Sequence, residues 1–173
     1  MKKDLFLTGK QRDMKDGDII VSKTNLKGHV VYGNDVFCDI AGYTVSEIMG
    51  TPHSFLRHPD MPRCVFKLLW DSIQAGKEIF AYVVNRAKNG DHYWVMAHVT
   101  PSFDPTGNII GYHSNRRKPS NSAINAISSL YKTLKQVESN SANPKDGMQA
   151  GYEHLIKILN EKNISYDEFI LSI

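Results

Sequence analysis

Shortages define this sequence before its motifs do. Only two residues of 173 are cysteine, Cys38 and Cys64, and they lack CxxC spacing. They read as buried reduced thiols, which argues against a disulfide framework or a cysteine metal site. No run approaches the ~18–20 apolar residues that a membrane-spanning helix needs. Near the N-terminus the apolar stretch is only Leu5-Phe6-Leu7, short of the ~7–15 residues of a secretory signal. A cytoplasmic chain without direct membrane insertion is expected. Charge of one sign is also scarce. The formal net charge is +3 and the Lys and Arg residues are scattered, so no nucleic-acid footprint is present.

Enzyme signatures are missing too. The chain has no GxxxxGK[ST], no GxSxG, no GxGxxG after a strand and no HExxH, and it is expected not to be an enzyme. Asp91-His92 beside Trp94 sits at a turn, where polar residues are ordinary. Among the seven histidines, His53, His58, His92, His98 and His113 show no metal-ligand spacing. No metal is expected, although ligation of a haem by one of them stays open.

What is present is a folded α+β pattern, with 41% apolar and 23% charged residues. Residues 1–17 are polar and irregular and read as a frayed or partner-seeking arm. Strands are predicted over 19–24, 29–32, 79–84, 92–100 and 109–116. Asn89-Gly90 and Asp104-Pro105-Thr106-Gly107 supply the turns between the last three. Asn34 caps a short helix over 35–41, and Thr44 with Glu47 forms a capping box for another. Asp60 reads as the N-cap of the longest helix, with Pro62 in its first turn. Val65, Phe66, Leu69, Trp70 and Ile73 form its apolar stripe. Two strands, a helical block and three strands predict an antiparallel sheet with helices on one face. Residues 18–118 make this domain. An amphipathic helix follows over 119–138, then a linker over 139–147 and a helical segment over 148–173.

The segment Arg57-His58-Pro59-Asp60-Met61-Pro62 carries the most chemistry. It sets a cation, an imidazole and a carboxylate at a helix mouth, where free N–H groups and Arg suit a phosphate. The plain alternative is that Asp60 only caps the helix and Arg57 is solvated.

Three motifs carry a family likeness. They are Gly42-Tyr43-Thr44 with Glu47 and Gly50, the 57–62 segment, and Asn85-Arg86-Ala87-Lys88-Asn89-Gly90-Asp91-His92-Tyr93-Trp94-Val95. With them, residues 19–137 resemble the flavin-binding PAS domains of the bacterial aerotaxis-receptor type. The resemblance implies a five-stranded antiparallel PAS sheet of order 2-1-5-4-3 and an FAD held between sheet and helices. It implies FAD contacts from Arg57, His58, Asp60, Asn34 and Asn85, with Trp70 and Ile79 as further candidates. The family usually has tryptophan where this chain has Ile79, and Phe80 and Trp94 are the aromatic residues nearby. The aerotaxis receptors continue into membrane, HAMP and methyl-accepting segments, which this sequence lacks. It is similar in that respect to the stand-alone PAS proteins of bipartite energy-taxis systems. The function implied is a cytoplasmic redox or oxygen sensor, a homodimer that signals to a separate membrane-bound methyl-accepting chemotaxis transducer and is recruited to the inner membrane through it. The competing readings are a haem-binding gas sensor and a cofactor-free docking or dimerisation module. The helix seam Ile127, Leu130, Leu134 and Val137 is the candidate pairing surface.

Overall fold

Five strands form as the β-branched and aromatic runs predict. The computed structural model describes residues 6–173, so the start of the predicted N-terminal arm lies outside the described residues. The strands are β1 (Ile20–Thr24), β2 (Val30–Gly33), β3 (Ile79–Arg86), β4 (His92–Phe103) and β5 (Ile109–Arg117). They make one antiparallel sheet of order β2-β1-β5-β4-β3, with Ile20 opposite Arg116 and Ile79 opposite Val99. Between β2 and β3 lie α1 (Asp35–Ala41), α2 (Val45–Ile48), a single 3-10 turn over His53–Leu56, and α3 (Arg63–Gln74). Both predicted N-terminal devices form: Asn34 Oδ1 accepts from the Phe37 N–H, and the Thr44–Glu47 capping box closes α2.

The sheet has two faces because side chains alternate along a strand. One face carries Val83, Asn85, Ala97, Val99, Tyr112, Ser114 and Arg116 and looks toward α3. The other carries Tyr82, Val84 and Trp94 at the β3–β4 side. There α4 (Asn121–Ser139) and α6 (Tyr166–Leu171) close over it, while α5 (Pro144–Lys162) packs on α3 and α4. Tyr131 of α4 stacks on Trp94 and donates its hydroxyl hydrogen to the carbonyl of Tyr82, while the Tyr82 hydroxyl reaches the carbonyl of Ile173. β3 is therefore buried on both faces, while β4 alternates from His92 to Val99.

Several sequence expectations change. Of the predicted helix seam, Ile127 and Leu134 are buried within the chain together with Ala123 and Tyr131, Leu134 completely, while Leu130 and Val137 are half-buried. Such burial stabilises by ~1.5–3 kcal/mol per large apolar side chain, so Ile127 and Leu134 serve the packing of this chain. The predicted linker over 139–147 is shorter, because Asn143 Oδ1 caps the helix that begins at Pro144 by accepting from Lys145 and Asp146. The described part of the N-terminal arm is tied down. The Arg12 N–H donates to the His92 carbonyl, the His92 N–H to the Lys10 carbonyl, and Met14 is buried.

Segments outside the strands cover part of each sheet edge. Gly50 and Thr51 exchange hydrogen bonds with Val30, and Pro52 bridges to His29 along β2. On β3, Arg57 bridges to Asn85 and Met61 Sδ accepts the Val84 N–H at 3.4 Å.

Candidate cofactor cavity

A cavity of about 320 Å³ lies between α3 and the sheet, within the size range of small-molecule sites. Phe66, Leu69, Trp70 and Ile73 of the predicted stripe form one wall, so that stripe faces a cavity as well as packed core. The sheet wall is apolar at Val83, Ala97 and Val99 and polar at Ser22, Asn85, Ser114 and Arg116. Exposed Lys27, Pro52, Ser54 and Arg57 mark its mouth.

Trp70 is seated by two partners. Its ring meets Tyr112 edge-on, with centroids 5.5 Å apart. On its other side a side chain at Gly28 would lie 3.0 Å from the indole. Gly28 also has φ +76°, a backbone conformation that glycine adopts without strain. The turn and the close approach both require glycine here.

The dominant electrostatic feature is Arg116. It is 4% exposed, and among the described residues no carboxylate pairs with it. Its Nη2 donates to Ser22 Oγ at 2.5 Å and to His53 Nε2 at 2.9 Å, and the guanidinium lies over the Phe37 ring. Nη1 has no partner, nor has Ser114 Oγ beside it. Burial pulls the arginine down to about 10, yet it stays charged at neutral pH. A buried cation without a counter-charge costs several kcal/mol, and an acceptor in the cavity would offset that cost. His53 lies parallel to Phe37 at 5.8 Å. Burial, and then the Arg116 cation, pull the imidazole down to about 3, so it is neutral.

The residues singled out from the sequence divide sharply. Arg57, Asn85 and Trp70 line the cavity. The Arg57 guanidinium stacks over Phe66, 4.0 Å from the ring centroid, and the partial desolvation of this otherwise exposed side chain, followed by the nearby Arg63 charge, lowers its pKa. The structure does not bring the other four to the cavity. Asn34 is spent joining β1 to α1: its Oδ1 accepts from Val21 and Phe37, and its Nδ2 donates to the Ile19 carbonyl. His58 is buried against His92, ring centroids 5.7 Å apart, and its Nδ1 accepts the Asp60 N–H. Burial lowers its pKa against the opposing pull of Asp60. The Asp60 carboxylate is exposed and lies 3.6 Å from His58. Ile79 is buried in the core at the far end of β3, outside the cavity. Phe80 and Trp94 point to the opposite face, stacked on His98 and Tyr131, so neither replaces an aromatic ring at Ile79.

The helix mouth also differs. α3 begins at Arg63 with Pro62 as its N-cap, so Asp60 does not cap it. Met61 is pinned to β3 through its sulfur, and a residue before proline avoids the helical conformation. The first N–H groups of the helix, on Arg63 and Cys64, donate to the Glu138 carboxylate of α4 at 3.1 and 2.8 Å. They are therefore not a phosphate seat.

Arg116, Ser22 and Ser114 went unnoticed in the sequence, and His53 stood out only as a possible metal or haem ligand. One signal was available: Arg116 shares the inward register of a predicted strand with Tyr112 and Ser114, an unusual place for a charge.

Comparison with known proteins agrees with this architecture. Residues 30–116 match the family model described as the PAS fold. The aerotaxis receptor of Escherichia coli K12 is 38% identical over 129 residues, 75% of this chain and 25% of the receptor. The nitrogen fixation regulatory protein of Klebsiella pneumoniae is 23% identical over 104 residues, 60% of this chain and 21% of that protein. The chain thus spans about a quarter of the length of these curated relatives. Among solved structures, the light state of the blue-light photoreceptor Aureochrome1 LOV superimposes with a TM-score of 0.56. It is 24% identical and covers 68% of this chain and 91% of its own. A light-oxygen-voltage domain studied with a flavin analogue gives 0.57 at 22% identity, over 71% and 87% of the two chains.

Proposed function

The chain belongs to the PAS-fold family, and from that premise we propose that it is a cytoplasmic redox sensor holding FAD in the cavity between α3 and the sheet. It would signal to a separate membrane-bound chemotaxis transducer. The observation that carries the reading is Arg116, a buried guanidinium with no carboxylate partner that lines the cavity beside Ser114, with Nη1 and the Ser114 hydroxyl unsatisfied. A flat heteroaromatic ring with carbonyl and ring-nitrogen acceptors at one edge satisfies both orphaned groups and fills the apolar remainder. The resemblance to the aerotaxis receptor, over three quarters of the chain, supports the assignment to redox sensing.

A flavin, when bound, supplies reversible electron uptake. The residues do the rest. Arg116 and Ser114 hold the polar edge of the ring, and the Arg116 cation favours added negative charge there. Neutral His53 fixes the guanidinium by accepting from it. Asn85 offers both amide donor and acceptor on the sheet wall, and Trp70 with Leu69 covers the opposite side. Lys27 and Arg57 at the mouth suit the phosphates of a dinucleotide whose adenosine lies outside so small a cavity. His53 on the cavity wall is a poor haem ligand, because its Nε2 is engaged by Arg116.

The test is an absorbance spectrum of the purified protein and of Arg116→Met. Flavin bands in the first, lost or greatly weakened in the second, are expected. A colourless wild-type protein that takes up no added FAD, or one with a Soret band, overturns the reading.

A further inference from the structure

We propose that Glu138 is a latch through which the state of the cavity is passed to the C-terminal helices. The route runs along α3. One side of that helix presents Phe66, Leu69, Trp70 and Ile73 to the cavity. Its N-terminus is gripped by α4, whose Glu138 carboxylate accepts the N–H groups of Arg63 and Cys64. Lys135, one turn earlier, donates to the Pro59 carbonyl in the connection leading into α3.

α5 is shaped to this junction. A side chain at Gly147 would come within 2.2 Å of the Glu138 carbonyl oxygen. One at Gly151 would come within 2.8 Å of Glu138 Cγ and 3.2 Å of Cys64 Sγ. Real Cβ atoms do not approach so closely, so two glycines four apart let α5 lie directly on the latch. Cys64, fully buried, fills the space beneath. α3, α4 and α5 therefore meet at one carboxylate. A small shift of α3 that follows from what the cavity holds must either move Glu138 and α5 with it or break those two hydrogen bonds. Packed junctions of this kind shift between discrete arrangements instead of deforming smoothly.

The redox part of this proposal rests on the flavin reading, so the test uses two perturbations of the cavity. One is reduction of the bound flavin. The other is Leu69→Trp, which crowds the cavity from α3 itself and needs no cofactor. Amide hydrogen exchange is read at Arg63 and Cys64 and along 147–155, in the full chain and in Glu138→Ala. Flavin content is recorded on every sample by absorbance. In wild type the Arg63 and Cys64 amides should be protected, and in Glu138→Ala they should exchange about tenfold faster or more, as for lost hydrogen bonds to a charged acceptor. Either perturbation should change protection along 147–155 in the otherwise wild-type chain, and the change should vanish when Glu138 is alanine. Wild-type protection in Glu138→Ala overturns the latch. So does a chain in which neither perturbation alters 147–155, or one in which the response survives Glu138→Ala. A colourless preparation counts against the flavin reading alone, because the Leu69→Trp arm still decides the latch.

Discussion

Arg116 Nη2 lies 2.9 Å from His53 Nε2, which makes the imidazole an acceptor and fixes its own proton on Nδ1. A protonated His53 would set two cations against each other inside the domain. Acid should therefore weaken the fold. The folded-state pKa of His53 is pulled down to about 3, while the unfolded value is ~6.5. The stability that neutral His53 permits is present above ~6.5 and is lost as pH falls from there toward 3, by at most ~1.4 kcal/mol per pH unit for one proton. Denaturant titrations from pH 7 to 5 should show this slope, and His53→Gln should reduce it.

Arg116→Met should act in opposite directions on stability and on cofactor. Replacing a buried unpaired charge by an apolar side chain of similar length is expected to stabilise the cofactor-free protein, by ~1–4 kcal/mol if it behaves like the replacement of a buried ion pair. FAD retention should fall sharply in the same variant. Thermal melts of stripped protein and flavin retention on dialysis are the two measurements. A destabilised apo variant would mean that the Ser22 and His53 bonds outweigh desolvation.

Asp60 touches His58 and lies away from the cavity. Its influence on cofactor binding is expected to pass through His58, which packs beside the Arg57 backbone where that meets Asn85. Asp60→Ala and His58→Ala should each lower FAD affinity, and the double variant should be no worse than His58→Ala alone. Additive losses would show that Asp60 contacts the cofactor independently.

Leu134 is completely buried, so Leu134→Ala should cost ~2–5 kcal/mol. A surface seam would give almost no loss of stability and a change in self-association instead. Unfolding by denaturant and light scattering on the same samples distinguish the two.

Much of the fold was legible because its cues are local. Asn89-Gly90 fixes the β3–β4 turn, Thr44 and Glu47 start α2, and the 3,4 spacing of 65–73 marks α3. The α3 boundary misled because Asp60 has the chemistry of a cap, while Met61 is held by a sulfur contact to β3 that only the folded chain provides. The cavity was half legible. Arg57 and Asn85 stand out as motif residues and Trp70 as part of the α3 stripe, but Arg116 becomes a site residue only when Ser22 and His53, from distant parts of the chain, close around it. Asn34 shows the reverse: a position that the resemblance assigns to FAD, whose three side-chain hydrogen bonds are architectural.

The partly covered rims of the sheet bear on how this protein meets others. Gly50–Pro52 shield the start of β2, and Arg57 and Met61 shield the end of β3. Each covered stretch shortens the row of amides and carbonyls that a neighbouring strand could use, which is how native sheets resist edge-to-edge growth. A partner that meets these stretches reads side chains in place of backbone, and side chains can be replaced without disturbing the fold.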